Sequence, residues 1–208
     1  MSLGSLVFDF AVGLMGQFGY TGVFLLMVME SATLPVPSEV VLPLAGYLVY
    51  KGTFEFWTAV IVATLGSLVG TMIDYSIGFY LGRPAVLRYG RLVGIGERHF
   101  MTTEGWFRKR GKIIVLLARF VPLVRTLISF PAGIVKMDVK QFLVYSAIGI
   151  FIWDVALVYV GYVAGQNSAA ISAFLESIFL PLGLAVALIL IMQAYRSVRK
   201  KPPQSETN

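Results

Sequence analysis

Two stretches of this chain set charges and prolines inside otherwise membrane-grade sequence, and no bundle of plain straight spans can absorb them. The first runs Glu30-Ser-Ala-Thr-Leu-Pro35-Val-Pro37-Ser38-Glu39-Val-Val-Leu-Pro43-Leu-Ala-Gly46. The second runs Arg119-Phe-Val-Pro122-Leu-Val-Arg125-Thr126-Leu-Ile-Ser129-Phe-Pro131-Ala-Gly133. Proline removes a helical hydrogen bond and clashes with the preceding turn. An ionisable group at membrane depth is costly and normally lines a cavity or pathway. Irregular backbone survives there only where protein or a wet cavity satisfies it. One segment brings two acids and the other two arginines, so together they read as the halves of one site.

The rest of the chain supports a membrane setting. Of its 208 residues 57% are apolar and 13% charged, against roughly 25% charged in ordinary soluble domains. Mean hydropathy is +0.79. The chain is short enough for a single domain. It has no cysteine and one histidine, His99, so disulfides, thiolate sites and His-rich metal centres are excluded and no cofactor is expected. The N-terminus lacks the basic region and small-residue cleavage site of a signal peptide. A net charge of +6 suggests nucleic acid only until the charges are located. Eight Lys/Arg fall within residues 83–112, and Arg196, Arg199, Lys200 and Lys201 lie in the tail. Basic clusters flanking apolar spans are orientation signals and attract anionic headgroups; nucleic acid is not an expected partner.

A spanning helix needs about 20 mostly apolar residues. Spans are expected at 10–29, 55–82, 141–165 and 177–195. For 113–131 the sum is unfavourable: twelve Leu, Ile, Val and Phe contribute about −5 kcal/mol, and two central arginines cost about +6. Charge parity agrees. If the 83–112 cluster and the 196–208 tail both face the cytoplasm, an even number of crossings separates them, and 141–165 and 177–195 supply it. The segment 113–135 then enters and leaves from the inside as a re-entrant hairpin. The same logic makes 31–50 a hairpin from the outside, with both termini cytoplasmic. Residues 83–112, glycine-rich and basic, read as short amphipathic helices on the inner surface, with His99 in a loop.

The halves echo each other. Each hairpin closes on Pro and Ala-Gly, at Pro43 to Gly46 and at Pro131 to Gly133, and each precedes a span carrying a buried aspartate, Asp74 or Asp154. Paired, proline-interrupted segments of opposite orientation point to an inverted-repeat transporter with its site near the midplane. The expected fold is therefore an all-α polytopic membrane protein, an inverted repeat of two opposed re-entrant hairpins plus about four transmembrane helices. Pro35, Pro37, Pro43, Pro122, Pro131, Gly46 and Gly133 are the expected hairpin breaks.

Arg119 and Arg125 would stand about 240° apart on a continuous helix; a break at Pro122 lets both face one cavity. A guanidinium stays charged and grips phosphate through a planar fork, so the pair suits an anionic headgroup, with Ser38, Thr126 and Ser129 as added donors. Glu30 and Glu39 read either as proton- or cation-accepting carboxylates or as ion-pair partners that hold the hairpins together. Asp74 and Asp154 belong to the same pathway or cap and pair locally. The Gly-x3-Gly pairs at Gly66, Gly78 and Gly161 read as close helix packing. No nucleophile elbow, metalloprotease helix or phosphate loop is present, so an enzyme is not expected.

At these residues the chain resembles the DedA family, also called the SNARE-associated or VTT-domain family. The resemblance covers roughly 15–170 and rests on Glu30, Pro35-x-Pro37-x-Glu39 and Ala45-Gly46. It continues through Gly66-x3-Gly70-x3-Asp74-Tyr75-x2-Gly78-x3-Gly82-Arg83, Arg119-Phe120-x-Pro122-x2-Arg125, Pro131-Ala132-Gly133-x3-Met137, Phe142, Trp153 and Gly161-Tyr162. Leu123 stands where many relatives have glycine. The resemblance implies a translocase for undecaprenyl or another polyprenyl phosphate in the cytoplasmic membrane, with proton or cation coupling through the matching acids. Rival readings are a general phospholipid scramblase, a proton- or sodium-coupled antiporter of small solutes, and a structural membrane protein with static salt bridges. A homo-oligomer is compatible with all of them.

Overall fold

A computed structural model describes residues 13–34, 36–89, 97–122 and 124–165. Pro35, the expected span at 177–195, the 196–208 tail, residues 90–96 of the basic segment and the first residues of the 10–29 span lie outside the described residues. All regular structure among the described residues is helical: α1 (13–18), α2 (Tyr20–Ser31), α3 (Ser38–Tyr50), α4 (Phe56–Tyr89), α5 (Glu97–Ala118), α6 (Val124–Leu127), α7 (Ser129–Ile134) and α8 (Val139–Ala164).

The apolar run expected to cross at 10–29 is broken at Gly19, whose φ of 56° suits a residue without Cβ. Beyond Gly19 the chain forms a hairpin of α2 and α3, with 12 and 13 residues, each about 18–20 Å long. Its turn lies at 32–37, where Thr33 takes a φ of 58°. Its two ends meet: the Tyr20 ring stacks on Phe54 at 4.4 Å, and the Tyr20 hydroxyl accepts the Glu55 N–H at 2.6 Å. The segment 31–50 thus holds the turn and the returning limb, while α2 supplies the outgoing limb. In the second half α5 kinks at Arg110, turns at Arg119–Pro122 and returns as α6 and α7.

Pro37 caps α3 from its N-terminal side, but Pro43 lies inside α3 and Pro131 inside α7. Neither interrupts its helix, contrary to the expectation of a break. Pro131 sits in the first turn of α7, where a missing N–H has no intrahelical partner to lose. Gly46 and Gly133 are likewise helical and serve close packing. His99 lies within α5, not in a loop. Near the end of α4, Gly82 leaves the helical region with φ 58°, the bend where the apolar span gives way to the basic segment.

Phe56–Gly82, of 27 residues, and Val139–Ala164, of 26, are long and apolar enough to cross a membrane. The outward face of α4 carries Trp57, Ile61, Leu65, Val69, Ile73 and Ile77 at every fourth position, all exposed. The outward face of α8 exposes Val144, Ile148, Phe151, Ile152 and Tyr159. Continuous apolar exteriors of this extent suit a hydrocarbon solvent. The inward face of α4 is instead polar, with Thr64, Ser67, Thr71 and Asp74 all buried. The second hairpin packs on an apolar cluster of Tyr75, Phe107, Val115, Ala118, Ile128, Ala132 and Phe142; the Tyr75 ring stacks on Phe142 at 4.7 Å, and the Tyr75 hydroxyl donates to the Met137 carbonyl.

The contacts between the halves are reciprocal. Gly46 of α3 lies against the Val158 carbonyl and Tyr162 nitrogen of α8, and Gly133 of α7 against the Tyr75 carbonyl and Phe79 nitrogen of α4. Gly161 in turn meets the backbone of Pro43, and Gly78 that of Phe130. Within each half, Gly66 faces the Phe24 carbonyl and Met27 Cβ, as Gly149 faces the Leu116 carbonyl and Arg119 Cβ. Even the caps correspond. Glu55 accepts the Trp57 and Thr58 N–H groups at 3.0 and 2.5 Å, and Asp138 accepts the Gln141 N–H at 2.9 Å. Each returning limb therefore crosses the long helix of the opposite half.

Candidate functional site

The two turns bring their charges together at the centre. Arg125 begins the second return, and its Nη2 donates to Glu30 Oε1 and to Ser38 Oγ, across from the first hairpin. The pair is buried, with Arg125 7% and Glu30 5% exposed. Ser31 Oγ donates to the second Glu30 oxygen at 2.9 Å, so the carboxylate is satisfied on both sides. The Arg125 guanidinium also lies over the Trp153 ring at 5.3 Å, an arrangement that favours a cation. Breaking such a pair by removing one partner leaves an uncompensated buried charge, at a cost of about 3–5 kcal/mol.

Arg119 plays a different part. Its Nη1 donates to the Arg125 carbonyl at 2.6 Å, and its Nη2 to Ser146 at 2.9 Å and Ser129 at 3.3 Å. It ties α5, the second turn, α7 and α8 into one unit and holds the backbone that presents Arg125. Its Nε is buried without a partner. Both arginines line one small pocket with Glu30, Ser31, Ser67, Thr126 and Ile150. With about 10 Å³ of free volume, it has room for roughly one water centre.

The remaining acids are separated from this pair. Glu39 is half-buried, accepts from Ser38 at 3.4 Å, and forms no ion pair among the described residues. Asp74, fully buried, accepts from Thr33 Oγ1 at 2.5 Å. Asp154, equally buried, accepts from Thr64 Oγ1 at 2.9 Å on one oxygen, while its Oδ1 has no partner. Pro122 lies in the turn between the arginines. Thus Arg119, Arg125, Ser38, Thr126, Ser129 and Glu30 converge, Asp74 and Asp154 flank them, and Glu39 stands aside.

Sequence reasoning passed over Ser31, Thr33, Thr64, Ser67, Thr71 and Ser146. A hydroxyl in an apolar span is common and carries no net charge, so it stands out weakly. The available signal was the spacing of Thr64, Ser67, Thr71 and Asp74, which places them along one face of α4.

An apolar exterior closed around a buried ion pair and two further buried acids defines a helical membrane protein with a polar centre. The chain belongs to the VTT-domain, or DedA, family: residues 36–163 match the VTT domain. It is similar to the uncharacterized membrane protein YkoX of Bacillus subtilis, 36% identical over 90% of this chain and 83% of that protein. It is also similar to undecaprenyl phosphate transporter A of Bacillus subtilis, 36% identical over 79% of this chain and 81% of the relative. An alkaline phosphatase-like protein of Lactococcus lactis is 32% identical over 93% of this chain and 92% of its own length. No solved structure matches.

Proposed function

We propose that the protein translocates a polyprenyl phosphate, undecaprenyl phosphate by likeness to the transporter of Bacillus subtilis, across the cytoplasmic membrane. The observation that carries this is the Arg125 guanidinium, buried at the junction of the hairpins and held by Glu30 and Ser38. A phosphate presents the acceptor geometry that the fork binds, and it takes the place of the Glu30 carboxylate. The pocket is too small for a phosphate beside Glu30, so substrate entry and withdrawal of the carboxylate are one event. Ser38, Thr126 and Ser129 line the headgroup route, and the prenyl tail stays in the bilayer.

The reciprocal glycine contacts support an inverted repeat whose two hairpins enter from opposite faces, and the basic clusters at 83–112 and in the tail support cytoplasmic termini. Exchange of Arg125 between Glu30 and phosphate opens one hairpin at a time, and protonation of the acids couples the exchange to a proton or cation gradient. The test is leaflet-resolved translocation in proteoliposomes, with undecaprenyl phosphate and phosphatidylglycerol as parallel substrates. Arg125→Lys keeps the charge and loses the fork; the pair Glu30→Gln with Arg125→Gln leaves no unbalanced charge. Both are expected to lower undecaprenyl phosphate transport at least ~100-fold, the loss of two charge-assisted bonds at about 1.5–3 kcal/mol each. Retained transport in the double variant defeats the headgroup role, and equal movement of the two lipids defeats the specificity.

A further inference from the structure

The inward face of α4 carries a line of hydroxyls of which Ser67 alone borders the headgroup pocket. Thr64, Ser67, Thr71 and Asp74 succeed one another at helix-face spacing, and all are buried. Thr64 reaches Asp154 of α8, while Asp74 is reached by Thr33 of the first turn. Between them, Ser67 and Thr71 have no hydrogen-bond partner, although both are almost wholly buried. Their neighbour Ser76, on the same helix, takes the usual bond to the carbonyl one turn back, Met72, at 2.7 Å. That default is open to Ser67 and Thr71, and neither adopts it. Buried polar groups are normally satisfied by protein or water. Along this strip of α4 two aligned hydroxyls, and beside it the free oxygen of Asp154, are therefore left for water to satisfy.

The ends of the strip are placed for transfer across the membrane. Thr64 and Asp74 lie ~15 Å apart along the axis, each ~12 Å in from one end of the Phe56–Gly82 helix. The middle passes the pocket where Ser67 stands beside Glu30, Arg119 and Arg125. At one end Thr33 is exposed, and it holds a backbone conformation (φ 58°) that side-chain-bearing residues rarely adopt while bonding to Asp74. That pose connects the surface of the turn to the buried carboxyl. Two guanidiniums beside a space for about one water oppose a sodium or potassium ion, whereas a proton passes between water, hydroxyl and carboxyl by exchange of hydrogen bonds.

We infer that the Ser67–Thr71 face of α4 is a proton pathway joining Asp154 to Asp74 past the Glu30–Arg125 pair, with Thr33 at its outlet. It rests on the transport reading for its purpose and identifies the coupling ion as the proton. Each hop breaks one O–H bond and forms another, so the chain is restored: a proton enters at one carboxyl, is relayed through water and hydroxyls, and leaves from the other.

The experiment uses the full-length protein in liposomes that enclose a pH-sensitive dye, with proton entry driven by a potassium diffusion potential. Undecaprenyl phosphate equilibration between leaflets is measured in a parallel set without a gradient. Thr71→Val keeps shape and removes the hydroxyl, and Thr71→Ser restores it; Ser67→Ala is the second interruption. Thr71→Val is expected to lower proton flux at least tenfold while lipid equilibration stays within twofold, and Thr71→Ser is expected to keep both. Because the lost hydroxyl has no protein partner, thermal stability of Thr71→Val should match the parent or exceed it. Parental proton flux in both Thr71→Val and Ser67→Ala overturns the pathway. Thr71-dependent proton flux with no lipid movement in the parent would leave the pathway standing and remove the lipid-transport reading.

Discussion

Replacing Glu30 by glutamine separates what the carboxylate does for the fold from what it does for the substrate. In the resting arrangement it neutralises Arg125, with both groups almost fully buried. Glutamine keeps the size and one acceptor but leaves the guanidinium without an anion. Uncompensated burial of one partner costs about 3–5 kcal/mol, so the variant should unfold at lower temperature than the parent in the same detergent. An added phosphate headgroup then meets an arginine with no internal competitor. If displacing Glu30 costs the parent about 1–3 kcal/mol, affinity rises by about 5- to 150-fold in the variant. Under the proposed exchange, transport is nonetheless expected to fall, because no carboxylate returns to expel the headgroup. The assay is thermal unfolding titrated with a short-chain prenyl phosphate, where stabilisation depends on ligand concentration relative to Kd. A variant as stable as the parent, with an unchanged ligand-induced shift, would refute the competition between Glu30 and phosphate.

The fold carries two further expected outcomes. Gly46→Ala and Gly133→Ala each force a Cβ into the backbone of the opposing long helix, 2.8 Å from Tyr162 N and Phe79 N respectively; overpacking of this kind costs about 1–3 kcal/mol. Similar losses of thermal stability at both positions are expected, whereas one tolerant position would show that the two crossings are not equivalent. Glu55, exposed at the start of α4, has its carboxyl held below its ordinary value of 4.5 by bonds from Thr58 and then from the Thr58 and Trp57 amides. Its contribution is therefore present above the unfolded carboxylate pKa and is lost as pH falls through the lower folded value. Acid unfolding of Glu55→Gln should show a shallower pH dependence than the parent below about pH 4.5, and parallel curves would exclude the cap.

The membrane setting, the family and the charged centre were legible because each depends on residue type alone. Apolar runs with arginines and prolines inside them are informative whatever their neighbours are, and Glu30, Arg119 and Arg125 were marked for that reason. The distinction between the arginines was not legible. Arg119 and Arg125 look alike in sequence, yet Arg119 braces the turn through Ser129, Ser146 and a carbonyl, and only Arg125 bonds the first hairpin. Ser146 lies in a span with nothing local to set it apart from a lipid-facing hydroxyl. Pro43 was read as a break because proline opposes helices, but it lies inside α3, at the point where that helix meets Gly161 of α8.

The amino-acid sequence by itself pointed to a membrane, marked two segments whose charges and prolines a plain span does not explain, and showed that its acids and arginines need shelter from lipid. Those conclusions rest on transfer energies, which are properties of residues. Tertiary structure decided the rest: that Gly19 hands α2 to the first hairpin, that Glu30 rather than Glu39 meets Arg125, and that Ser67 and Thr71 are left buried without a partner. Such pairings arise only when hairpins distant in sequence cross each other's long helices, as Arg125 and Glu30 do at a separation of 95. No local pattern encodes the rotation at which they meet.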